Sequence, residues 1–213
     1  MTKLYQKIDT SPLLPYAKLF AGWIIKFTPT WIKPNQVTVF SFLMTVAAAV
    51  FYYCASFNKL WLLLTPLPII LNWLADNLDG ELARARNQTS DRGFFLDLFL
   101  DNLGLTILAL AIGFSSYSIF ALWAVAHMIS LLRTILILFG IILKKEFVLP
   151  TMGPAEGRFI LITVTLFGFI WYGSIFQIGD YLLSCFDIFI LILIPISGWE
   201  MVKSAWGLYH QID

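Results

Sequence analysis

Charge is what this sequence has least of. Asp, Glu, Lys and Arg make up 13% of its 213 residues against 59% apolar residues, and mean hydropathy is +0.81. A water-soluble domain of this length cannot bury so large an apolar share, which excludes a soluble enzyme and indicates an integral membrane protein. Histidine and cysteine are scarce too, at two each. Cys54 and Cys185 fall in separate apolar runs and read as membrane packing residues, implying neither a disulfide nor a thiolate metal set. Net charge is +1 without a basic cluster, so nothing points to nucleic acid as a partner. There is no internal repeat, no low-complexity tract and no linker long enough for a second domain. The chain therefore reads as one domain over 1–213, with an interfacial segment over 1–33 and a helix bundle over 34–207. No cleavable signal peptide is expected, because the first long apolar run begins only after Pro34.

What the chain does have is a series of apolar runs of membrane-spanning length. Before them, "PLLPYAKLFAGWIIKF" puts Leu13, Tyr16, Ala17, Phe20, Ile24 and Phe27 on one helical stripe, with Lys18 and Lys26 elsewhere. That is the pattern of an amphipathic helix lying in the membrane interface. Six spanning helices follow, near 35–57, 60–85, 90–114, 117–143, 155–175 and 181–207, with Pro66 and Pro68 kinking the second. The expected fold is thus an all-α integral membrane protein: six transmembrane helices preceded by an N-terminal amphipathic helix. Lys3, Lys7, Lys18, Lys26 and Lys33 precede the first span; Arg84, Arg86 and Arg92 follow the second; Lys144, Lys145 and Arg158 bracket the junction of the fourth and fifth. Lys59 stands alone on the other side, so the positive-inside rule makes both termini and the loops after spans two and four cytoplasmic. Trp31, Trp171 and Trp199 fall near helix ends, where tryptophan anchors a helix in the interface.

Against this apolar background one stretch stands out, "DNLDGELARARNQTSDRGFFLDLFLD" over 76–101. Asp76, Asp79 and Ala83 recur at helical spacing at the cytoplasmic end of the second span, beside a stripe of Gly80 and Arg84. After a short polar turn the third span starts, with Thr89 or Ser90 as its N-cap. Ser90, Gly93, Asp97 and Asp101 then share one stripe of that helix. Two consecutive antiparallel helices joined by a short turn are expected to be neighbours, so the four carboxylates converge. In a medium drier than water their mutual repulsion is severe unless a cation neutralises it. An all-oxygen set without His or Cys selects a hard cation, Mg²⁺ or Mn²⁺, and four carboxylates suffice for two ions. Gly80 and Gly93 leave room for a ligand to approach the backbone, and Arg84 offers a fork suited to phosphate. The bland reading, interfacial charges ending two helices, leaves the four-acid convergence unexplained.

The string D-x-x-D-G-x-x-A-R, eight residues, then G-x-x-x-D-x-x-x-D resembles the signature of the CDP-alcohol phosphotransferase family at every fixed position: Asp76, Asp79, Gly80, Ala83, Arg84, Gly93, Asp97 and Asp101. "PNQVT", Pro34 to Thr38, is similar to the start of that family's first span, and the expected count of six spans agrees. The resemblance implies transfer of a phospho-alcohol group from a CDP-alcohol to a second alcohol with release of CMP, in phospholipid synthesis. It implies that Asp76, Asp79, Asp97 and Asp101 bind metal, that Asp101 doubles as general base, and that Asp79, Gly80, Ala83, Arg84, Ser90 and Gly93 contact the CDP moiety. No organic cofactor is implied. It also implies a homodimer acting on a lipid substrate within the bilayer.

The acceptor side is less clearly written. "GPAEG" over 153–157 and "RARNQTS" over 84–90 resemble the choline- and ethanolamine-phosphotransferase branch, which joins CDP-choline or CDP-ethanolamine to diacylglycerol. The chain departs from that branch in being shorter, and in having Phe99 and Leu100 where some members place a histidine before the last motif aspartate. The competing branch transfers a phosphatidyl group from CDP-diacylglycerol to glycerol 3-phosphate, inositol phosphate or serine, and its phosphate-bearing acceptors need a basic pocket. Arg133, Lys144, Lys145 and Arg158 supply candidates for one. Arg133, Glu156 and Arg158 are the candidate acceptor residues, with two readings open for each: a substrate contact, or an ion-paired or helix-terminal charge. His127 reads as a packed or hydrogen-bonded histidine, and Asp187 and Glu200 have no assigned role. A cation transporter is the competing class of function, but transporters tend to place charge near the midplane within inverted repeats. Here the charge gathers at one edge.

Overall fold

The computed structural model describes residues 6–8, 14–144, 146–148, 154–179 and 181–210. Its elements are, in order, β1 (Gln6–Ile8), α1 (Leu14–Phe27), α2 (Pro34–Cys54), α3 (Trp61–Leu64), α4 (Pro66–Ala85), α5 (Asp91–Gly113), α6 (Phe120–Lys144), β2 (Glu146–Val148), α7 (Pro154–Ile170), β3 (Ser174–Ile178), β4 (Tyr181–Ser184) and α8 (Cys185–Tyr209). An all-α membrane protein is the right class. Among the described residues, four helices are long and apolar enough to cross a membrane: α2, α5, α6 over Phe120–Leu143, and α8. The two others expected to span fall short for visible reasons. α4 has 20 residues but carries Asp76, Asp79, Glu81 and Arg84, and α7 has only 17 residues.

α2 is the organising helix. It packs against both α4 and α5, while α6 joins α5 to α8, and α7 lies against α3, α4 and α8. Small and polar side chains on α2 allow this. Asn72 of α4 donates to Ser41 Oγ (2.8 Å), Ser41 O (3.1 Å) and Thr45 Oγ1 (2.9 Å), a satisfied polar patch between two apolar helices. On the α5 side, a Cβ at Gly104 would lie 3.1 Å from Thr45 Cγ2, so the glycine sets how closely α5 approaches. α4 and α5 themselves are not in close contact. Both dock on α2, which holds them as neighbours, and across the gap between them the acidic side chains of the two helices meet.

Two further differences have local causes. The second span is broken into α3 and α4 at Thr65, just ahead of Pro66, where the missing N–H and the ring interrupt the ladder. The stretch expected to end the fifth span and begin the sixth forms an antiparallel pair, β3 with β4, bulged between Ser174 and Phe176. Gly173 (φ 105°) and Gly179 (φ 58°) occupy the left-handed region that lets the chain leave α7 and then reverse.

The main core lies toward the end where α5 meets α6. Tyr52, Leu62, Ile112 and Phe186 are fully buried there, with Tyr117, Trp123 and Ile190 packed around them. Tyr52 hydroxyl is hydrogen-bonded to Thr165 Oγ1, Tyr117 Oη donates to Tyr52 O (2.7 Å) and Tyr172 Oη donates to Ala55 O (2.5 Å). Asp187, unassigned from sequence, closes this end. With Ser184 it forms the capping box of α8, and it also accepts from Ile119 N (2.8 Å) and Ser118 Oγ (3.0 Å). At the opposite end of α5, β1 pairs in parallel with β2, and Arg86 ties the end of α4 to the α1–α2 connection. α1 lies against α4 through buried Ala17 and Ala21 and exposes Tyr16, Leu19, Phe20, Trp23 and Phe27.

Candidate active site

The turn between α4 and α5 sets the register of everything in the cleft. α4 ends with Arg86 N donating to Leu82 O (3.0 Å), and Asn87 takes the left-handed conformation (φ 53°). Ser90 is the N-cap of α5, as expected: extended at φ −150°, it accepts from Gly93 N at 3.1 Å. Asp97 and Asp101 are therefore placed on the second and third turns of α5, on the face toward the cleft.

One carboxylate oxygen each from Asp76, Asp97 and Asp101 lies within 4.8 Å of the other two, and all three side chains are half-buried. The sequence predicts that four carboxylates converge, and the structure brings three of them together. The donor set is all oxygen, with no histidine or thiolate, which fits a hard divalent cation. Asp79, the fourth motif acid, lies to one side of this trio. It is buried (6% exposed) and accepts a hydrogen bond from Thr38 Oγ1 at 2.7 Å. It remains close enough to Asp76 and Asp101 to act on them electrostatically. Thr38 also donates to Pro34 O (3.3 Å), so "PNQVT" is fastened to the acidic motif through this hydroxyl.

A guanidinium reaches the trio from the far wall. Arg158, near the start of α7, donates from Nη1 to Asp76 Oδ2 at 2.9 Å, and its charge also acts on Asp97 and Asp101. The sequence singled out Arg158 for the acceptor, and the structure brings it among the acids. Arg84, the arginine of the motif, pairs instead with Glu81 (Nη2–Oε1, 2.9 Å) and is 55% exposed. Gly80 makes room for it: a Cβ there would stand 3.3 Å from Arg84 Nη2. A Cβ at Gly93 would stand 3.2 Å from Ser90 Oγ and 3.4 Å from Asn35 Oδ1, so Gly93 keeps the α2 and α5 N-termini close. Ala83 is half-buried on the same turn as Arg84.

Arg133 and His127 are engaged by partners outside the acidic trio. Arg133 pairs with Glu200 (Nη2–Oε2, 2.9 Å) between α6 and α8. Glu156 is half-buried in the first turn of α7. His127 Nε2 is hydrogen-bonded to Thr106 Oγ1 at 2.9 Å, as a packed histidine should be. Lys145 and Gly153 of "GPAEG" lie outside the described residues. Three contributions escaped the sequence: Thr38 as a partner of Asp79, Arg158 as a partner of Asp76, and Arg86, which donates to Ile32 O (2.5 Å), Thr28 O (2.9 Å) and Pro29 O (3.1 Å). The motif around Thr38 was noticeable, but its partner is 41 residues away.

The sequence model for CDP-alcohol phosphatidyltransferase matches residues 31–196. Cholinephosphotransferase 1 of Rattus norvegicus is 28% identical over 112 residues, covering 50% of this chain and 28% of the relative. Ethanolaminephosphotransferase 1 of Pongo abelii is 32% identical over 133 residues, covering 54% of this chain and 32% of the relative. An uncharacterized protein of Aquifex aeolicus is 31% identical over 111 residues, covering 51% of this chain and 54% of the relative. This chain thus spans about a third of the length of the mammalian relatives it matches. The chain belongs to the CDP-alcohol phosphatidyltransferase family.

Proposed function

We propose, with membership of that family as the premise, that this protein transfers a phospho-alcohol group from a CDP-alcohol to an acceptor alcohol and releases CMP. The observation that carries the reading is the meeting of Asp76, Asp97 and Asp101 across a cleft between α4 and α5. One or two divalent ions held by these acids and Asp79, Mg²⁺ or Mn²⁺, would neutralise the donor's diphosphate and align the attacking hydroxyl. Asp101 takes the proton of the acceptor hydroxyl as its oxygen bonds to the phosphorus bearing the alcohol. The bond from that phosphorus to the CMP oxygen breaks, and CMP departs with the bonding pair. Gly80, Ala83, Ser90 and Gly93 form the wall for the CDP moiety. Arg84, exposed and paired with Glu81 one turn away, turns to its phosphates.

Diacylglycerol is the acceptor this reading favours, with CDP-choline or CDP-ethanolamine as donor. The "GPAEG" resemblance supports it, as do relatives whose names are cholinephosphotransferase and ethanolaminephosphotransferase. A lipid acceptor also explains why the cleft belongs at the membrane surface.

In the bilayer, α3–α4 and α7 complete six spans with α2, α5, α6 and α8, and α1 lies in the interface with its exposed aromatic residues among the lipids. The cleft and both termini face the cytoplasm, by the lysine and arginine bias. The whole chain, 1–213, forms one catalytic domain, which pairs as a homodimer. The test is CMP release from purified protein with Mg²⁺, one cytidine donor at a time, against diacylglycerol, glycerol 3-phosphate, inositol phosphate and serine. Release with CDP-choline or CDP-ethanolamine plus diacylglycerol is expected. Release only with CDP-diacylglycerol moves the protein to the other branch. No release from any pair, and no protection by CDP against thermal unfolding, favours the cation transporter.

A further inference from the structure

We infer that Arg158 is a resident counter-cation of the acidic cradle, and that it makes binding of a divalent ion and binding of the donor's diphosphate depend on each other. The inference rests on the reading of the cleft given above and goes beyond it.

Arg158 comes from α7, which packs on α4, so its guanidinium reaches the cradle from a helix that carries none of the acids. Nη1 stands 2.9 Å from Asp76 Oδ2, and the same charge acts on Asp97 and Asp101. Its side chain is only 17% exposed, so bulk water screens it little. Asp76 in turn has an oxygen within 4.8 Å of oxygens of both other acids. An ion bound by the trio and the guanidinium would therefore share Asp76, two positive species on one carboxylate in a weakly screened site. Each weakens the other's hold. The arrangement offsets one of three negative charges, so the cleft persists at tolerable repulsion, but at the cost of affinity for the ion.

A diphosphate changes the balance. Its paired non-bridging oxygens suit the planar guanidinium fork, which offers two parallel hydrogen bonds where Asp76 now takes one. Once the fork has that partner, Asp76 is given over to the ion, and the diphosphate's charge adds to the ion's attraction. By linkage the ion raises the affinity for the diphosphate by the same factor as the diphosphate raises the affinity for the ion. Arg84 does not couple the two ligands even when it turns to the donor's phosphates, because its partner is Glu81, outside the trio, and its movement frees none of the three acids.

The test titrates full-length protein in lipid nanodiscs with Mn²⁺, followed by electron paramagnetic resonance, with and without CDP. Wild type is compared with Arg158→Gln, which keeps a hydrogen bond to Asp76 without the charge, and Arg158→Lys, which keeps the charge without the fork. In wild type, CDP is expected to tighten Mn²⁺ binding at least tenfold. Arg158→Gln should bind Mn²⁺ alone at least tenfold more tightly than wild type and lose most of the gain from CDP. Arg158→Lys should stay weak for Mn²⁺ alone and show a smaller gain. Recovery of folded Arg158→Gln only when Mn²⁺ is present throughout is the same result read as stability, and if it never folds the Lys variant carries the test. Mn²⁺ affinity and CDP gain equal to wild type in either variant that folds would overturn the inference. So would wild type binding Mn²⁺ equally well with and without CDP, which leaves the metal reading standing. Wild type that binds no Mn²⁺ under either condition would overturn the reading of the cradle itself.

Discussion

Asp187 and Asp76 stand at opposite ends of the bundle and are treated in opposite ways. Asp187 is 1% exposed, and its two oxygens are filled by protein donors: Ile119 N, Ser118 Oγ, Ser184 N and Ser184 Oγ, at 2.8–3.0 Å. Asp76 is half-buried and faces two other carboxylates and a guanidinium. A carboxylate saturated by neutral donors is spent on holding the chain: it fixes the α5–α6 connection to the start of α8. Carboxylates turned toward each other remain strong acceptors and are destabilising unless something cationic lies among them. Both arrangements bury acid in a membrane protein, and only the pattern of partners separates scaffold from chemistry.

Loss of function and loss of fold should therefore separate by end. Asp101→Asn carries the largest expected effect: CDP binding retained and kcat reduced by about 10³-fold or more, in the range of general-base removal. Initial-rate assays beside CDP titration read both, and near-normal kcat would remove Asp101 from the base role. At the other end, Asp187→Ala leaves Ile119 N and Ser184 N buried without their acceptor, which should cost about 3 kcal/mol. A thermal unfolding scan should show a fall of several degrees, while protein that remains folded keeps its kcat. If kcat per folded molecule collapses instead, the two ends are not independent.

A smaller effect at the same sealed end probes packing without charge. A Cβ at Gly168 would stand 2.6 Å from Phe186 Cε2 and 3.0 Å from Cys185 Sγ, with Phe186 fully buried. Gly168→Ala should therefore force α7 and α8 apart at a cost of about 2 kcal/mol. Because α7 also delivers Arg158, a modest change in metal affinity would reveal how rigidly α7 couples the two ends. An unfolding temperature unchanged from wild type would show that Phe186 can shift.

How much of this was legible in the sequence follows from distance along the chain. The chemistry of the cleft is written in one stretch, 76–101, at helical spacing, so periodicity alone gathers Asp76 with Asp79 and Asp97 with Asp101. Ser90 as N-cap was legible for the same local reason. The partners that orient or neutralise these groups are distant: Thr38 lies 41 residues from Asp79, Arg158 82 from Asp76, Glu200 67 from Arg133 and Asp187 68 from Ile119. No local pattern encodes such pairs. That α4 and α5 are joined chiefly through α2 is likewise a long-range fact that no helical period carries. The β3–β4 pair was misread because a continuous apolar run has no period to separate strand from helix.

The smallest expected effect tests whether the open end, too, has a scaffolding part. Asp79 resembles Asp187 more than it resembles Asp76: it is buried, and Thr38 Oγ1 donates to it at 2.7 Å. Thr38→Val keeps the shape and removes that hydrogen bond, which for a charged acceptor amounts to about 1.5–3 kcal/mol. Part of that loss should appear in the chemistry, because Asp79 is then free to swing toward Asp76 and Asp101 and raise the repulsion in the trio. The expectation is a drop in kcat/KM of about tenfold, carried mostly by KM for the CDP-alcohol, with a smaller change in kcat. Asp79→Asn gives the control. If Thr38 acts through Asp79, the double variant should be no worse than Asp79→Asn alone, because the hydroxyl then has no carboxylate left to position. Full additivity would mean that Thr38 touches the donor by itself, and kcat/KM within twofold of wild type would mean that Asp79 holds its place without help from α2.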